Sequence, residues 1–153
     1  MRLTLLFAVA ISTCLLSCSQ DIPASKVPSV VLNTVQLKFP GSTSIEWEKK
    51  KSQYEAEFNI DSTEHNVFIN ENGEVIWYKT KIKETVLPPQ IISAITREQQ
   101  GYTIDEIEKI STGDSTYYLV EVELKGKKDK ELLYASDGTS IQNIELLKLF
   151  NVK

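Results

Sequence analysis

Leu87-Pro88-Pro89-Gln90-Ile91-Ile92-Ser93-Ala94-Ile95 repeats, with substitutions, the earlier stretch Val27-Pro28-Ser29-Val30-Val31-Leu32-Asn33-Thr34-Val35, sixty residues before it. The same offset aligns Trp47-Glu48-Lys49 with Ile107-Glu108-Lys109. Further on the offset widens slightly. Tyr54-Glu55-Ala56-Glu57-Phe58 aligns with Tyr118-Leu119-Val120-Glu121-Val122 at 64, and Asn72-Gly73-Glu74-Val75-Ile76 with Asp137-Gly138-Thr139-Ser140-Ile141 at 65. A self-similar period of this length decides the architecture before any other feature does. The chain is one unit written twice, with the first unit over 27–86 and the second over 87–153.

Each unit opens with a helix signal. Pro28 and Pro88 suit a helix start, where a missing N–H costs nothing. Val27, Val30, Val31, Val35 and then Leu37 or Phe39 form an apolar stripe at helical spacing, ended by Phe39-Pro40-Gly41. In the second unit Ile91, Ile92, Ala94 and Ile95 form the stripe, and Gln100-Gly101 ends it. Valine is a mediocre helix former, so packing must hold the first helix.

Strand patterns follow. Alternation predicts strands over 44–49, 54–60, 65–70 and 74–82, and again over 104–110, 115–124, 131–135 and 139–147. Asn72-Gly73 is a strong hairpin signal, matched by Asp137-Gly138. The class is α+β, with each unit a helix followed by a four-stranded antiparallel meander.

Side chains alternate across a strand, so one face meets the helix and the other meets solvent. Tyr54, Ala56 and Phe58 align with Tyr118, Val120 and Val122, all apolar, which puts them against the helices. Trp47 with Ile107, Ile76 with Ile141, and Val67 and Ile69 with Leu132 and Tyr134 are placed on the same side. The other face then carries Glu46, Glu48, Glu55, Glu57, Glu106, Glu108, Leu119, Glu121 and Glu123. The same parity turns Phe68, Trp77, Tyr117 and Leu133 outward, with Tyr78 the alternative to Trp77. Aromatic rings on a carboxylate-rich face read as a partner-binding surface, because aromatics concentrate at interface centres and charge steers approach. The competing reading is that these rings are strand formers covered by a loop or by the C-terminal segment.

The first residues are an export signal. Arg2 precedes an apolar run over 3–11, too short to span a bilayer. It leads to Leu15-Leu16-Ser17-Cys18, which looks like a lipobox, with 1–17 removed and Cys18 acylated as the new N-terminus. Cys14 fits such a box less well. Removal of 17 of the 153 residues leaves 136, and takes the net charge from −4 to −5 because Arg2 departs. Acyl chains would attach the protein to a membrane without inserting it. Residues 18–26 read as a polar tether.

Cys14 leaves with the signal and Cys18 is acylated, so no thiol remains for a disulfide, nucleophile or metal site. The acidic balance argues against nucleic acid. Lys49-Lys50-Lys51 and Lys125-Gly126-Lys127-Lys128-Asp129-Lys130 read as solvated turns. His65 is the single histidine, beside Glu64 on a strand. No nucleophile–base set, phosphate loop or zinc pair is present, and Asn70-Glu71-Asn72-Gly73 lacks the spaced acids of a calcium loop. Glu55 with Glu57, or Glu121 with Glu123, could pair for glycoside chemistry, but carboxylates two apart on a strand are usually just solvated. No catalytic residue, cofactor or metal is expected.

Val27-Pro28 with Phe39-Pro40-Gly41, Ile45-Glu46-Trp47-Glu48, Tyr54-Glu55-Ala56, Val67-Phe68-Ile69-Asn70-Glu71-Asn72-Gly73, and Leu87-Pro88 with Gly101-Tyr102 together resemble the PepSY-like lipoproteins of Bacteroidetes-type bacteria. These are related in fold to the secreted β-lactamase inhibitor proteins. The second unit departs by having Gln99-Gln100 where the first has Phe39-Pro40. The resemblance implies a continuous, concave eight-stranded sheet with both helices on the convex side, no enzymatic activity, and a role in binding or inhibiting another protein.

The expectation is a non-catalytic, lipid-anchored module of the cell envelope, held at the outer membrane and facing the periplasm, with a surface-facing orientation the alternative. It would bind a protein or peptide, of basic character, through Phe68, Trp77, Tyr117, Leu119, Glu55, Glu57, Glu121 and Glu123. The rival expectations are an inhibitor of an envelope or secreted hydrolase, and a sensor of a small ligand or ion.

Overall fold

The structure is a computed structural model and describes residues 20–150. Residues 1–19, which include the expected signal segment and Cys18, and residues 151–153 lie outside the described residues. The element order is β1 (Gln20–Asp21), α1 (Ser29–Lys38), β2 (Thr43–Lys50), β3 (Gln53–Ile60), β4 (Thr63–Asn70), β5 (Val75–Lys81), α2 (Pro89–Glu98), β6 (Thr103–Thr112), β7 (Ser115–Glu123), β8 (Lys130–Ala135) and α3 (Ile144–Leu149). The strands form one antiparallel sheet in chain order, β1 to β8.

Both long helices start at a proline. The Pro28 carbonyl accepts from the Val31 and Leu32 amides at 3.0 and 3.1 Å, and Pro88 does the same for Ile91 and Ile92 at 2.9 and 3.4 Å. α1 buries Val31, Thr34 and Val35, and α2 buries Ile91, Ala94 and Ile95. Under α1 lie Trp47, Tyr54, Ala56, Phe58, Val67 and Ile69. Under α2 lie Ile107, Tyr118, Val120, Val122 and Tyr134. The two cores are built from aligned residues, and the helix-facing parity expected for them holds.

The hairpin glycines hold each helix down. Gly73 has φ +82°, and a Cβ there would sit 2.8 Å from Val30 Cγ2. The Thr34 hydroxyl donates to the Gly73 carbonyl at 2.8 Å. Gly138, at φ +87°, passes so close to α2 that a Cβ would lie 2.8 Å from the Gln90 carbonyl oxygen. Only glycine gives both the left-handed turn and the close approach.

The strand inventory differs from the expected one in two places. The segment over 139–147 is not a strand. It makes a single bridge, Ser140 to Tyr134, and the Ile141 amide donates to the Leu133 carbonyl at 2.7 Å. The chain then leaves the sheet and forms α3. Asn143 caps that helix, its side chain accepting from the Glu145 and Leu146 amides at 2.9 and 3.2 Å. The eighth strand is supplied instead by β1, inside the stretch read as a tether. Its pairing repeats the end of β5. Gln20 and Asp21 oppose Lys49 and Glu48 as Thr80 and Lys81 oppose Lys109 and Glu108. The Ile22 and Ile82 amides donate to the Trp47 and Ile107 carbonyls, each at 2.9 Å.

α3 corrects a second expectation, that all helices share one face. It packs on the side opposite α1 and α2. There Phe68, Trp77, Ile110, Leu119, Leu133 and Phe150 form a third buried cluster, bordered by Leu146, Leu147 and Leu149. Ile76 and Ile141 also border this cluster, not the helix side where alignment had put them. For Ile76 the reason is a β-bulge. Phe68 opposes Trp77 and Ile69 opposes Val75, so Ile76 is the extra residue and parity shifts there.

Candidate functional site

The face opposite α1 and α2 has an apolar centre and two acidic flanks. At the centre, Trp77 is fully buried, and Phe68 and Leu119 are 7% and 8% exposed. The Phe68 and Trp77 rings stack at 5.2 Å. Tyr117 is half-buried, its ring 5.5 Å from that of Phe150. The exposed aromatic platform expected from Phe68, Trp77, Tyr117 and Leu119 is therefore corrected. Their parity is as expected, away from α1 and α2, but α3 and Phe150 cover them. Trp77, and not Tyr78, is the residue turned to this face; Tyr78 packs toward α1.

The carboxylates lie on either side of that cover. Glu46 pairs across the ladder with Glu57, and Glu48 with Glu55. In the second unit Glu106 pairs with Glu121, which pairs with Glu131. Like charges directly opposite are destabilising in a sheet, so these rows persist at a cost. Glu55, expected on an open surface, is 8% exposed. It is held by the Lys50 ammonium, and by Asn66 Nδ2 donating at 2.7 Å. Burial alone would lower the Lys50 pKa, but its bond to Glu55 and the charges of Glu55 and Glu48 outweigh that and raise it. Glu57 and Glu123 are exposed and Glu121 is half-buried. Burial raises the Glu57 pKa, and Glu64, Glu46, Glu55 and Glu48 raise it further. Glu121 is raised by burial and then by Glu131, Asp105, Asp129 and Glu106. Among the described residues, Glu123 accepts from the Thr103 hydroxyl at 3.4 Å.

The flanks are related by the repeat but differ in shape and in compensation. The first is a cleft of about 500 Å³, lined by Asp21, Glu46, Glu48, Lys50, Glu55 and Glu57, with Ile45 and Trp47 among its apolar walls. The second, where Glu106, Glu108, Leu119, Glu121 and Glu131 meet, holds only about 40 Å³. Lys81 bridges Glu106 at 3.0 Å and Glu64 at 3.1 Å, and Lys79 bridges Glu108 at 3.0 Å. The bond to Glu106 is the chief reason the Lys81 pKa is pushed up to about 12. Sixty residues earlier, at the place corresponding to Lys81, stands Asp21. The first cleft thus has an acid where the second has its clamp. Sequence reading missed Lys79, Lys81 and Asn66, because register is needed to see what they meet. It also missed α3, although Asn143 followed by Glu145 and a leucine pair is a helix-start signal.

His65 lies on the other face, its ring between those of Phe58 and Tyr78 at 5.6 and 5.7 Å. Its Nδ1 is 2.6 Å from the Tyr78 hydroxyl. Burial lowers its pKa, partly offset by a hydrogen bond with the Ile60 backbone. Among the described residues no group of three His, Cys, Asp or Glu side chains is placed to hold a metal. No described helix is long and apolar enough to cross a membrane.

The family model described as "Putative beta-lactamase-inhibitor-like, PepSY-like" matches twice, over residues 16–77 and 73–142. Among solved structures, a BLIP-like protein from Bacteroides fragilis is similar at 22% identity and a TM-score of 0.63, over 75% of this chain and 83% of that one. A DUF2874 family protein from Bacteroides uniformis is similar at 18% identity and TM-score 0.68, over 75% and 86%. A protein from Bacteroides eggerthii described as putative periplasmic is similar at 15% identity and TM-score 0.70, over 76% and 86%. At these identities the likeness is one of fold. No curated protein matches the chain.

Proposed function

Because this chain belongs to the PepSY-like family, matched twice along its length, we propose that it is a non-catalytic, lipid-anchored binding module of the cell envelope. Its ligand is a basic segment of a protein or peptide, taken into the cleft beside β2. The observation that carries this is the cleft itself. About 500 Å³ of open space is bordered by Asp21, Glu46, Glu48 and Glu57 with Lys50 as its lining cation, beside the part-exposed Ile45. Desolvation first and then its neighbouring carboxylates raise the Glu57 pKa, and such a group of acids gains from an incoming cation. Lysine or arginine stems fit such a place, with apolar carbons on Ile45 and charge at the rim.

The expectation is revised in one respect. The contact surface is the acidic flank with Glu57, Glu48 and Glu46, and the ring cluster of Phe68, Trp77 and Leu119 supports it from beneath α3. The acylated Cys18 would hold the module at the outer membrane, on its periplasmic side.

Anisotropy of a labelled Lys/Arg-rich decapeptide tests the cleft. Binding should weaken steeply with salt, as contacts between exposed charges do. Glu46→Gln with Glu57→Gln, and separately Asp21→Lys, should each weaken it by about tenfold, roughly 1.4 kcal/mol. Unchanged affinity in both variants overturns the cleft as the binding place. A second reading, inhibition of an envelope hydrolase, is favoured by the inhibitor-like description of the family. It rests on fold analogy, and hydrolysis assays with and without the purified protein test it.

A further inference from the structure

The basic hairpin between β2 and β3 sits beside the place where the chain would enter the membrane. Gln20 opposes Lys49 in the β1–β2 ladder, and the turn Lys51-Ser52 follows immediately. Lys50 is engaged with Glu55 and Glu48. Lys49 and Lys51 are exposed and form no ion pair among the described residues. Lys49 lies over the Tyr54 ring, 5.6 Å from its centroid.

Chain length makes this placement consequential. Two peptide units separate Cys18 from Gln20, a reach of about 7 Å when extended. The segment 18–26 therefore cannot act as a long leash, because β1 pins it to β2 almost at once. An acyl chain on Cys18 would bring this corner of the sheet against the headgroups, within a Debye length of about 8–10 Å. The far end of β3, eight residues on, would stand about 27 Å further away. Other turns at the near end carry Glu71, Glu74, Asp114 and Asp137, so the cationic part of this end is the corner beside the anchor, while the basic run 125–130 turns at the far end of the sheet.

We infer that Lys49 and Lys51 form a second membrane contact, docking the β2–β3 corner on anionic phospholipid headgroups and fixing how the tethered body stands on the bilayer. A lipid chain joined to a small basic patch is the two-signal arrangement that gives firm attachment. The inference rests on Cys18 being acylated, as in the proposed function. In this orientation β3 rises away from the membrane and the acidic cleft lies beside the docked corner.

The test uses the full chain, expressed in a host that processes lipoproteins and reconstituted into vesicles of phosphatidylcholine with or without phosphatidylglycerol. Acylated Cys18 leaves no thiol, so Ser52→Cys and Ser62→Cys each accept a single fluorophore; both sites are exposed turn positions at opposite ends of β3. With headgroup-linked quencher, the Ser52 label should be quenched at least roughly twofold more than the Ser62 label in phosphatidylglycerol vesicles, given the strand length between them. Lys49→Glu with Lys51→Glu should reduce that difference to the level seen with phosphatidylcholine alone, while the protein stays on the vesicles. Equal quenching at the two sites, or a difference in phosphatidylglycerol vesicles that the charge reversal leaves unchanged, overturns the inference and leaves the anchor intact. A mass spectrum lacking the acyl group on Cys18 overturns the anchor and this inference together.

Discussion

Phe68 and Trp77 face each other across the β4–β5 ladder, their rings 5.2 Å apart and 14° from parallel, sealed from solvent by Phe150 and the leucines of α3. What alternation presents as an open aromatic surface is a second core, closed by the last described turn of the chain.

Phe150 is fully buried in that cluster. Phe150→Ala should cost about 3–5 kcal/mol, the usual range for a buried Phe truncation. Denaturant unfolding gives the value. In a Trp47→Phe background the remaining emission comes from Trp77 and should shift to the red as α3 loosens. Trp77→Phe should cost less than Phe150→Ala, because Nε1 of Trp77 is buried and meets no acceptor among the described residues.

Gly138→Ala should destabilise more than Gly41→Ala. Both glycines have φ near +86°, but a Cβ at Gly41 meets nothing within 4 Å, whereas one at Gly138 meets the Gln90 backbone at 2.8 Å. The strain common to both is about 1 kcal/mol. Any excess at Gly138 measures the grip of the hairpin on α2, and equal losses from thermal melts would show that α2 can give way.

Stability should depend on His65 as pH falls. Its folded pKa lies below the ordinary 6.5. The unfolded chain therefore takes up the proton first, and stability present at neutral pH is lost as pH drops through 6.5 toward the folded value. His65→Asn should flatten that part of the curve. Glu57 and Glu121 act in the opposite sense. Their folded pKa values are raised above 4.5, so the native state binds protons first and their repulsion is relieved as pH falls through that region. Urea midpoints between pH 7 and 4 check both signs.

Lys81→Ala should free Glu106 and Glu64 from their clamp. The expected result is a small stability loss, below about 1 kcal/mol for so exposed a group, together with stronger capture of a basic peptide. Titration of the variant against the parent protein is the check. Unchanged affinity would mean that the second flank takes no part.

Much of the fold was legible because the duplicated pattern constrains each half with the other. Val31 and Ile91, Phe58 and Val122, Gly73 and Gly138 fill matching places. The candidate site was less legible, for reasons that are local. Alternation tells which side of the sheet Trp77 occupies but not what lies above it. The bulge at Ile76 adds one residue and shifts the parity that the alignment carried over. The stretch 139–147 has enough apolar residues for either a strand or a helix, and Asn143 decides in favour of the helix. Glu55 looks like any solvated strand carboxylate until register sets it against Lys50 and Asn66.

The pairing of Asp21 with Glu48 in the same manner as Lys81 with Glu108 means that the closing strand of one unit serves as the opening strand of the next. Such a design has no natural stopping point, and copies could join end to end as beads do on a string. β1 and α3 act as terminators. One covers the outer edge of β2 beside Trp47, Glu48 and Lys49, and the other leads the chain away from the sheet after Ser140.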